Sequence, residues 1–228
     1  IGYIPTDTGG QDIDVRVTNV TSSGCDIFVI EPDRQGHNDE TVSWIVVEEG
    51  VWETADGAII EAGVHQTETT NEDGAAFVGD SVKFEDDWGT TPVVLTTPNT
   101  HNNQDWATTG IENVTATGFD IAQQQGGTQV TSNATASEEL AYIAISPGSG
   151  TLDSGVPYES ALTTTSNTTF GVSFSSRPDI IVDWQERPGD QCGWAKGTGS
   201  WTATDHDWFI ESASESGTSG YLPIEPNS

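Results

Sequence analysis

The sequence predicts an all-β protein built from tandem antiparallel β-sandwich domains. Three observations support this prediction: apolar and polar residues alternate along short runs, turn-forming residues separate the runs, and one pattern of residues occurs three times. No stretch sustains the apolar spacing of an amphipathic helix. This combination is typical of sandwich proteins made of many short strands.

The alternation is clearest near the start of the chain. Val15, Val17 and Asn19 alternate there with Arg16 and Thr18, and a period of two residues is the pattern of a strand with one buried face. Thr, Val and Ile dominate such runs, while clusters of Gly, Asn, Asp and Pro separate them. We therefore expect short strands joined by tight turns.

A repeated pattern links three passages that lie about 90 residues apart. The passages are Val15–Ile30, Thr109–Ala122 and Gly197–Ile210. Their corresponding residues are Asn19, Asn113 and Ser200, followed by Asp26, Asp120 and Asp207. We expect each passage to form the same pair of strands in its own copy of the sandwich.

Two further features belong to the repeat. A second strand-like run follows each passage, and the runs are Val42–Val47, Leu140–Ile145 and Ser219–Ile224. The second and third copies also share two aromatic residues and a proline, which are Phe84, Trp88 and Pro92, then Phe170, Phe174 and Pro178. We predict a partial first copy at 1–67 and further copies at 68–156 and 157–228, with Trp44, Tyr142 and Tyr221 at equivalent core positions.

The spaced aromatic pair, the β-branched strand after the proline, the V-T-x-x-G-F turn and the aromatic-Ile-Ala-Ile strand together resemble the H-type lectin domain. The second copy carries these motifs most fully, from Phe84 to Ile145. The resemblance implies a six-stranded antiparallel sandwich that forms a trimer, with carbohydrate sites between protomers. It is a domain of adhesive surface and viral fibre proteins, so it implies a host glycan or glycoprotein as ligand.

The resemblance also indicates where a sugar would bind. Sugar-binding members have an arginine eight residues before the glycine of the Gly-Phe pair, and Arg16 holds that position in the first copy. Gly110 and Gly197 stand there in the other copies. The aromatic-His pair of the family is replaced by Pro32-Asp33, Gly126-Gly127 and Ala213-Ser214.

Other candidate ligand contacts lie in polar segments. His101 and Trp106 lie in or beside the loop Asn99–Gln104, and His37 lies in the run Asp33–Glu40. The alternative for these segments is a solvated surface. The run Asp33–Glu40 and the loop Asn99–Asp105 hold oxygen donors for Ca²⁺, but neither has the ordered alternation of a calcium loop. We therefore expect bound hydrated cations, with Ca²⁺ as one option, and no other cofactor.

The charge balance indicates adaptation to high salt. The chain has 36 acidic residues against 6 lysines and arginines, a formal net charge of -30. Such a surface repels itself at low ionic strength and is screened in molar salt. It also excludes a nucleic-acid partner, because affinity for phosphates comes from lysine and arginine.

Four Asn-x-Ser/Thr motifs suggest an exported glycoprotein. The acceptors are Asn19, Asn113, Asn133 and Asn167, although the fold could explain the first two, which belong to the repeat. The two cysteines, Cys25 and Cys192, match no zinc or redox spacing, and we expect no bond between them. No apolar run is long enough for a membrane span. The glycosylation motifs and the family resemblance lead us to expect an extracellular location, on a virion or cell surface.

The chain shows no constellation typical of an enzyme. A Ser-His-Asp elbow and a glycine-rich phosphate loop are missing, and carboxylates are so abundant that any pair could be fortuitous. Two functions remain open. One is an adhesion module of a halophilic virus or cell surface, as a tail fibre or spike that binds a glycan or receptor. The other is a purely architectural subunit or spacer of a virion, filament or surface layer.

The first copy is predicted to be incomplete. Ile1 aligns near the strand Val93–Leu95, so the strands that correspond to Phe84–Pro92 have no counterpart there. An open edge of this kind invites pairing. We therefore expect a preceding segment or a neighbouring subunit to cover Val15, Val17 and Ile27, and we expect an obligate oligomer, a trimer above all, that joins other virion or surface proteins.

We predict that folding depends on salt. Thermal melts between about 3 M and about 0.1 M salt should show a steep loss of stability as the Debye length grows and repulsion returns. A melting temperature that stays flat across this range would contradict adaptation to salt.

Overall fold

A computed structural model describes residues 1–6, 8, 13–31, 36–103, 107–125, 136–163, 166–186 and 190–212. These residues form seventeen strands and no helix. The all-β prediction is therefore confirmed for the described part of the chain. With no helix among them, the described residues also contain none that could cross a membrane.

The strands fall into three groups along the chain. The first group is β1 (Gly2–Tyr3), β2 (Asp14–Thr21), β3 (Gly24–Ile30) and β4 (Ser43–Trp44). The second is β5 (Gly50–Glu53), β6 (Ile59–Thr67), β7 (Thr70–Glu72), β8 (Asp80–Lys83), β9 (Val93–Pro98), β10 (Thr108–Thr115), β11 (Gly118–Gln125) and β12 (Glu138–Ile145). The third is β13 (Gly148–Thr151), β14 (Pro157–Ser160), β15 (Asn167–Thr169), β16 (Gly193–Trp201) and β17 (Asp205–Ser212).

The second group forms two sheets around one core, in a sandwich-like arrangement. One sheet has the order β5-β6-β12-β9, and the other consists of β10, β11, β7 and β8. The core between them holds an aromatic cluster in which the Phe119 ring lies 5.4 Å from Phe84 and 5.2 Å from Tyr142. Trp88 stacks on Phe84 at 5.6 Å and closes this core.

A bulged hairpin recurs in the three passages that share the sequence pattern. The hairpins are β2–β3, β10–β11 and β16–β17, and each has a break in register on its first strand. Asn19 and Asn113 have φ of 52° and 56° at these bulges, and Gly199 has φ of 81°. Asn and Gly tolerate this left-handed conformation better than other residues do, which explains their recurrence. The sequence pattern aligns Ser200 with the two asparagines instead, because the third bulge is one residue longer.

A second hairpin, β5–β6, has a counterpart in β13–β14. Thr54 N–H donates to Ala58 O at 2.9 Å in the first, and Leu152 N–H donates to Val156 O at 2.9 Å in the second. β6 then pairs along nearly all of its length with β12. The predicted boundary after residue 67 coincides with the end of β6, and the predicted boundary after residue 156 lies between β13 and β14; the division into copies stays a prediction.

The aromatic pairs occupy matching places. Phe84 N–H donates to Thr117 O at 3.1 Å, and Phe170 N–H donates to Thr204 O at 2.8 Å, in each case at the turn of the neighbouring hairpin. The Phe170 and Phe174 rings are 5.4 Å apart, as close as the first pair. The prediction that Phe84 and Phe170 are equivalent is confirmed.

The predicted core position of Trp44 is wrong. Gly2 pairs with Trp44 in the way that Thr96 pairs with Tyr142, so the two aromatic residues are equivalent in register. Tyr142 is 8% exposed, whereas Trp44 is 59% exposed. The difference arises because no described strand pairs with β4 on the side where β6 pairs with β12, and no described aromatic ring stacks on Trp44. Tyr221 lies outside the described residues.

Residues near Ile1, strand β9 and the segment around Ile181 meet in one apolar cluster. Ile1 and Leu95 are buried together there, and Ile181 packs on them. By register Ile1, which directly precedes β1, corresponds to Leu95 of β9, and Ile181 follows the proline of the third copy as Leu95 follows that of the second. Equivalent residues of all three copies thus lie in one cluster within one chain.

Candidate functional site

Arg16, the candidate sugar contact, is fully buried between β2 and the loop after β9. Its Nη1 donates to Thr100 O at 2.6 Å, its Nη2 donates to Ala107 O, and Nη1 lies 3.8 Å from a Glu138 carboxylate oxygen. Burying a charge is costly unless it is paired and hydrogen-bonded. The guanidinium therefore joins the first and second groups of strands and is not available to a ligand in this structure.

The two candidate histidines lie at the surface but apart from each other. The exposed His101 ring is 5.5 Å from the ring of Phe28, at the junction of the first two groups. His37 is also exposed, and its Nδ1 lies 2.8 Å from Asn38 O. Trp106 lies outside the described residues, so the structure brings together only His101 and an aromatic ring from another copy.

The side-chain amides of the described glycosylation candidates donate hydrogen bonds to aspartates. Asn19 Nδ2 donates to Asp26 at 2.7 Å, and Asn113 Nδ2 donates to Asp120 at 2.8 Å across the bulged hairpins. Asn167 Nδ2 donates in the same way to Asp207. All three residues are exposed. The recurring Asn and Asp therefore have a structural role in each hairpin, and Asn133 lies outside the described residues.

A polar cleft, the central cleft, lies where β1, β9 and residues 181–183 come together. Its lining includes Tyr3 from β1, Thr96 from β9 and Asp183 from the equivalent third segment, together with Asp14 and Thr109 from the hairpins. The space is about 20 Å³, enough for one water molecule. Thr109 Oγ1 is buried there without a hydrogen-bond partner.

Two carboxyl groups face this cleft, and hydrogen bonds from threonines and the backbone hold both of them. Asp14 accepts hydrogen bonds from Thr108 Oγ1 at 2.5 Å and from Val15 N–H at 2.7 Å. Asp183 accepts from Thr96 N–H and Oγ1 at 2.8 and 2.6 Å. Burial raises the pKa of Asp183 to about 7, and the nearby Asp14 carboxyl adds to this while the hydrogen bonds oppose it. Burial also raises the pKa of Asp14.

Each carboxylate of the cleft accepts a hydrogen bond from a threonine hydroxyl, so the cleft holds two hydroxyl–carboxylate pairs. Within the described ranges no group of three or more His, Cys, Asp or Glu side chains could hold a metal ion. The expected cation-binding runs extend into residues 33–35 and 104–105, outside those ranges, so that expectation stays a prediction.

An exposed apolar surface, the open face, lies on the first group of strands. Cys25, Ile27 and Val42 are only partly buried, and Trp44 is largely exposed. The equivalent residues of the second group are fully buried, and they are Phe119, Ile121, Leu140 and Tyr142. Hairpin β2–β3 and strands β1 and β4 are therefore arranged like their counterparts in the second group. Of these two groups, only the second has further described residues packed over these side chains.

The expectation that a preceding segment or a neighbouring subunit covers Val15 and Val17 is wrong, because residues of the described chain cover them. They are 1% and 5% exposed and pack with Ile4 and Ile13. The uncovered side chains are those of the open face. Cys25 and Cys192 form no disulfide bond with each other, as expected.

Comparison with protein-family models, with curated proteins and with solved structures found no match. The resemblance to the H-type lectin domain therefore rests on the sequence motifs alone. No sequence pattern indicates the central cleft, because Asp14 and Asp183 are ordinary acidic residues among 36.

We predict that the protein loses stability through Asp183 as pH rises. The folded protein holds this proton up to about pH 7, whereas the unfolded chain releases it near the ordinary value of 3.8. The contribution of Asp183 is therefore complete below about pH 4 and is lost as pH rises through about 7. Asp183→Asn should match the wild type near pH 4 and exceed its stability at pH 8, since each tenfold difference in proton affinity between the two states equals about 1.4 kcal/mol.

The measurement is a set of thermal melts in molar salt from about pH 4 to about pH 8. Asp179→Asn, at an exposed position nearby, controls for the loss of one negative charge. Parallel curves for Asp183→Asn and Asp179→Asn would show that the central cleft does not hold a proton.

Proposed function

We propose that this chain is a non-enzymatic extracellular module of a salt-adapted virion or cell surface, and that a preceding segment or a neighbouring polypeptide covers the open face. On this proposal the chain consists of three divergent β-sandwich copies related to the H-type lectin domain, the first of them half-covered. The observation that carries the proposal is the exposure of Trp44 at a position that is buried in the second copy.

Exposure of this kind has a measurable free-energy consequence. A tryptophan removed from water contributes on the order of 2–3 kcal/mol by apolar burial, and aromatic anchors dominate protein interfaces. Cys25, Ile27 and Val42 are partly buried and pack on the apolar cluster of Ile4, Ile13, Val15 and Val17. Partly exposed apolar side chains on the group of strands that carries an exposed tryptophan favour docking over a free surface.

The junctions between copies support an architectural role. The buried pair of Arg16 and Glu138 and the hydrogen bond from Thr108 to Asp14 join the first and second copies. Gly197 N–H donates to Ile4 O at 2.8 Å and joins the third copy to the first. A chain with such junctions is a rigid block, and rigid blocks suit a fibre or surface layer. The homotrimer expected from the resemblance remains part of this proposal.

We predict weak self-association through the open face when the natural neighbour is missing. Sedimentation velocity in molar salt should show a mass that rises with concentration for the wild type. Trp44→Ser should abolish that rise because it removes the largest exposed apolar group. Trp52→Ser is the matched control, since Trp52 is 46% exposed but lies on β5. Equal behaviour of the two variants and the wild type would contradict docking through this face.

A glycan-binding role is favoured by one observation, the contact of His101 with Phe28. An exposed ring beside a polar amide, here Asn102, is a surface that a sugar can stack and hydrogen-bond on. We predict signals on a glycan array in molar salt that His101→Ala removes and that His37→Ala, at another exposed histidine, retains. An array without any signal would leave the architectural role as the proposed function.

A further inference from the structure

The central cleft collects oxygen atoms from all three groups of strands. Asp14 on β2 accepts a hydrogen bond from the Thr108 hydroxyl on β10 at 2.5 Å. Asp183, in the segment between β15 and β16, accepts one from the Thr96 hydroxyl on β9 at 2.6 Å. A hydroxyl that donates its proton to a carboxylate keeps its own lone pairs. Both pairs therefore have oxygen lone pairs left for a further partner.

A third threonine hydroxyl at the cleft has no partner at all. Thr109 is 3% exposed and lines the cleft, and its Oγ1 makes no hydrogen bond to the described residues. A buried polar atom of this kind in a native protein indicates a bound water or ion. The space of about 20 Å³ beside it accommodates one species of the size of a water molecule.

Charge decides which species fits best. Asp14 and Asp183 are both negative when ionised, and the described lining of the cleft contains no lysine, arginine or histidine. Arg16 interacts electrostatically with Asp14, but its own ion partner is Glu138. The nitrogen of Ile1, which also lines the cleft, donates to a backbone carbonyl. Carboxylates in a buried place are costly without a counter-ion, so a cation suits the ionised cleft better than a water does.

We propose that the central cleft binds one alkali-metal cation, K⁺ or Na⁺, between Asp14 and Asp183, with the Thr109 hydroxyl as a neutral ligand. Protein oxygen atoms can replace the hydration shell of such an ion. Mg²⁺ keeps several waters when it binds, and the cleft has no room for them. The bound cation joins residues of all three groups of strands.

A weak site is sufficient in molar salt, because occupancy depends on the ratio of the cation concentration to Kd. The inference takes from the proposed function only this high cation concentration. The site itself does not depend on the open face or on what covers it.

The test separates binding from screening, which depends on ionic strength and not on the identity of a monovalent cation. KCl is replaced stepwise by tetramethylammonium chloride, whose cation is too large for the cleft, at a constant total of about 2 M. Urea melts give the unfolding equilibrium constant at each step. We expect this constant to rise about tenfold across the series, as for a site whose Kd is about a tenth of the highest potassium concentration. A parallel series with NaCl shows which of the two ions is preferred.

The melts are made at about pH 8, because a proton competes for the same carboxyl groups and the pKa of Asp183 is about 7. The loss of stability with rising pH that we predict for Asp183 should be largest in tetramethylammonium chloride, where no cation can replace the proton.

Matched variants assign the effect to the cleft. Thr109→Val removes the unpaired hydroxyl at nearly constant shape, and Asp183→Asn removes one negative charge. Each should reduce the dependence on potassium to less than about twofold, since Kd then rises well above its wild-type value. Asp179→Asn removes a charge at an exposed position and should keep the full dependence. In crystals, Tl⁺ in place of K⁺ should give an anomalous peak between Asp14 and Asp183.

Three results would overturn the proposal. The first is a wild-type unfolding constant that is the same in both chlorides, which would mean that the cleft holds a water or a proton. The second is equal potassium dependence in all three variants, which would place the effect elsewhere. The third is suppression of the rise by about 1 mM Ca²⁺, which would identify a site for a divalent cation. None of them bears on the open face, whose test is self-association.

Discussion

The packing of three equivalent segments against one another, residues 1–3, strand β9 and residues 181–183, is the constraint on which the rest of the structure depends. Ile1, Leu95 and Ile181 meet in one apolar cluster, and the same segments line the central cleft. A chain with only 33% hydrophobic residues has little apolar surface to bury in each copy. Strands β9 and β12 bury one face in this shared cluster. They bury the opposite face in the core that contains Phe84 and Tyr142. The buried residues of these three segments therefore pack against residues of the other two segments.

The same packing explains the unusual buried polar groups. Where the copies meet, backbone groups lie at sheet edges without a strand to pair with, and side chains satisfy them instead. Asp183 accepts from Thr96 N–H and Gln185 accepts from Val94 N–H, so side chains two residues apart replace a ladder along β9. Arg16 donates hydrogen bonds to the backbone carbonyls of Thr100 and Ala107 in a similar way. Leaving such groups unpaired would cost about 1–3 kcal/mol each. The raised pKa of Asp183 follows from this use of a carboxylate in a buried place.

The local parts of this arrangement were predictable from sequence, and the junctions were not. Period-2 runs, the Asn of the bulge and the paired aromatic residues are local signals, and the hairpins and the Phe84 and Phe170 positions agree with them. The role of Arg16 was not predictable, since an arginine in an alternating strand normally faces solvent and only contacts with residues far along the chain bury it. The predicted burial of Trp44 is wrong for the opposite reason. Its strand has the sequence pattern of a buried strand, but burial of the side chain depends on other residues packing over it, which the pattern of β4 does not determine.

The position held by Cys25, Phe119 and His206 shows how each copy closes its core with different chemistry. Phe119 fills the second core by contact with Phe84. His206 is buried in the third, where burial lowers its pKa to about 4 and Nε2 lies 3.0 Å from the Tyr3 hydroxyl of the first copy. In the first copy the small Cys25 leaves room that Phe119 takes up in the second, and the larger Trp44 stands where Tyr142 does.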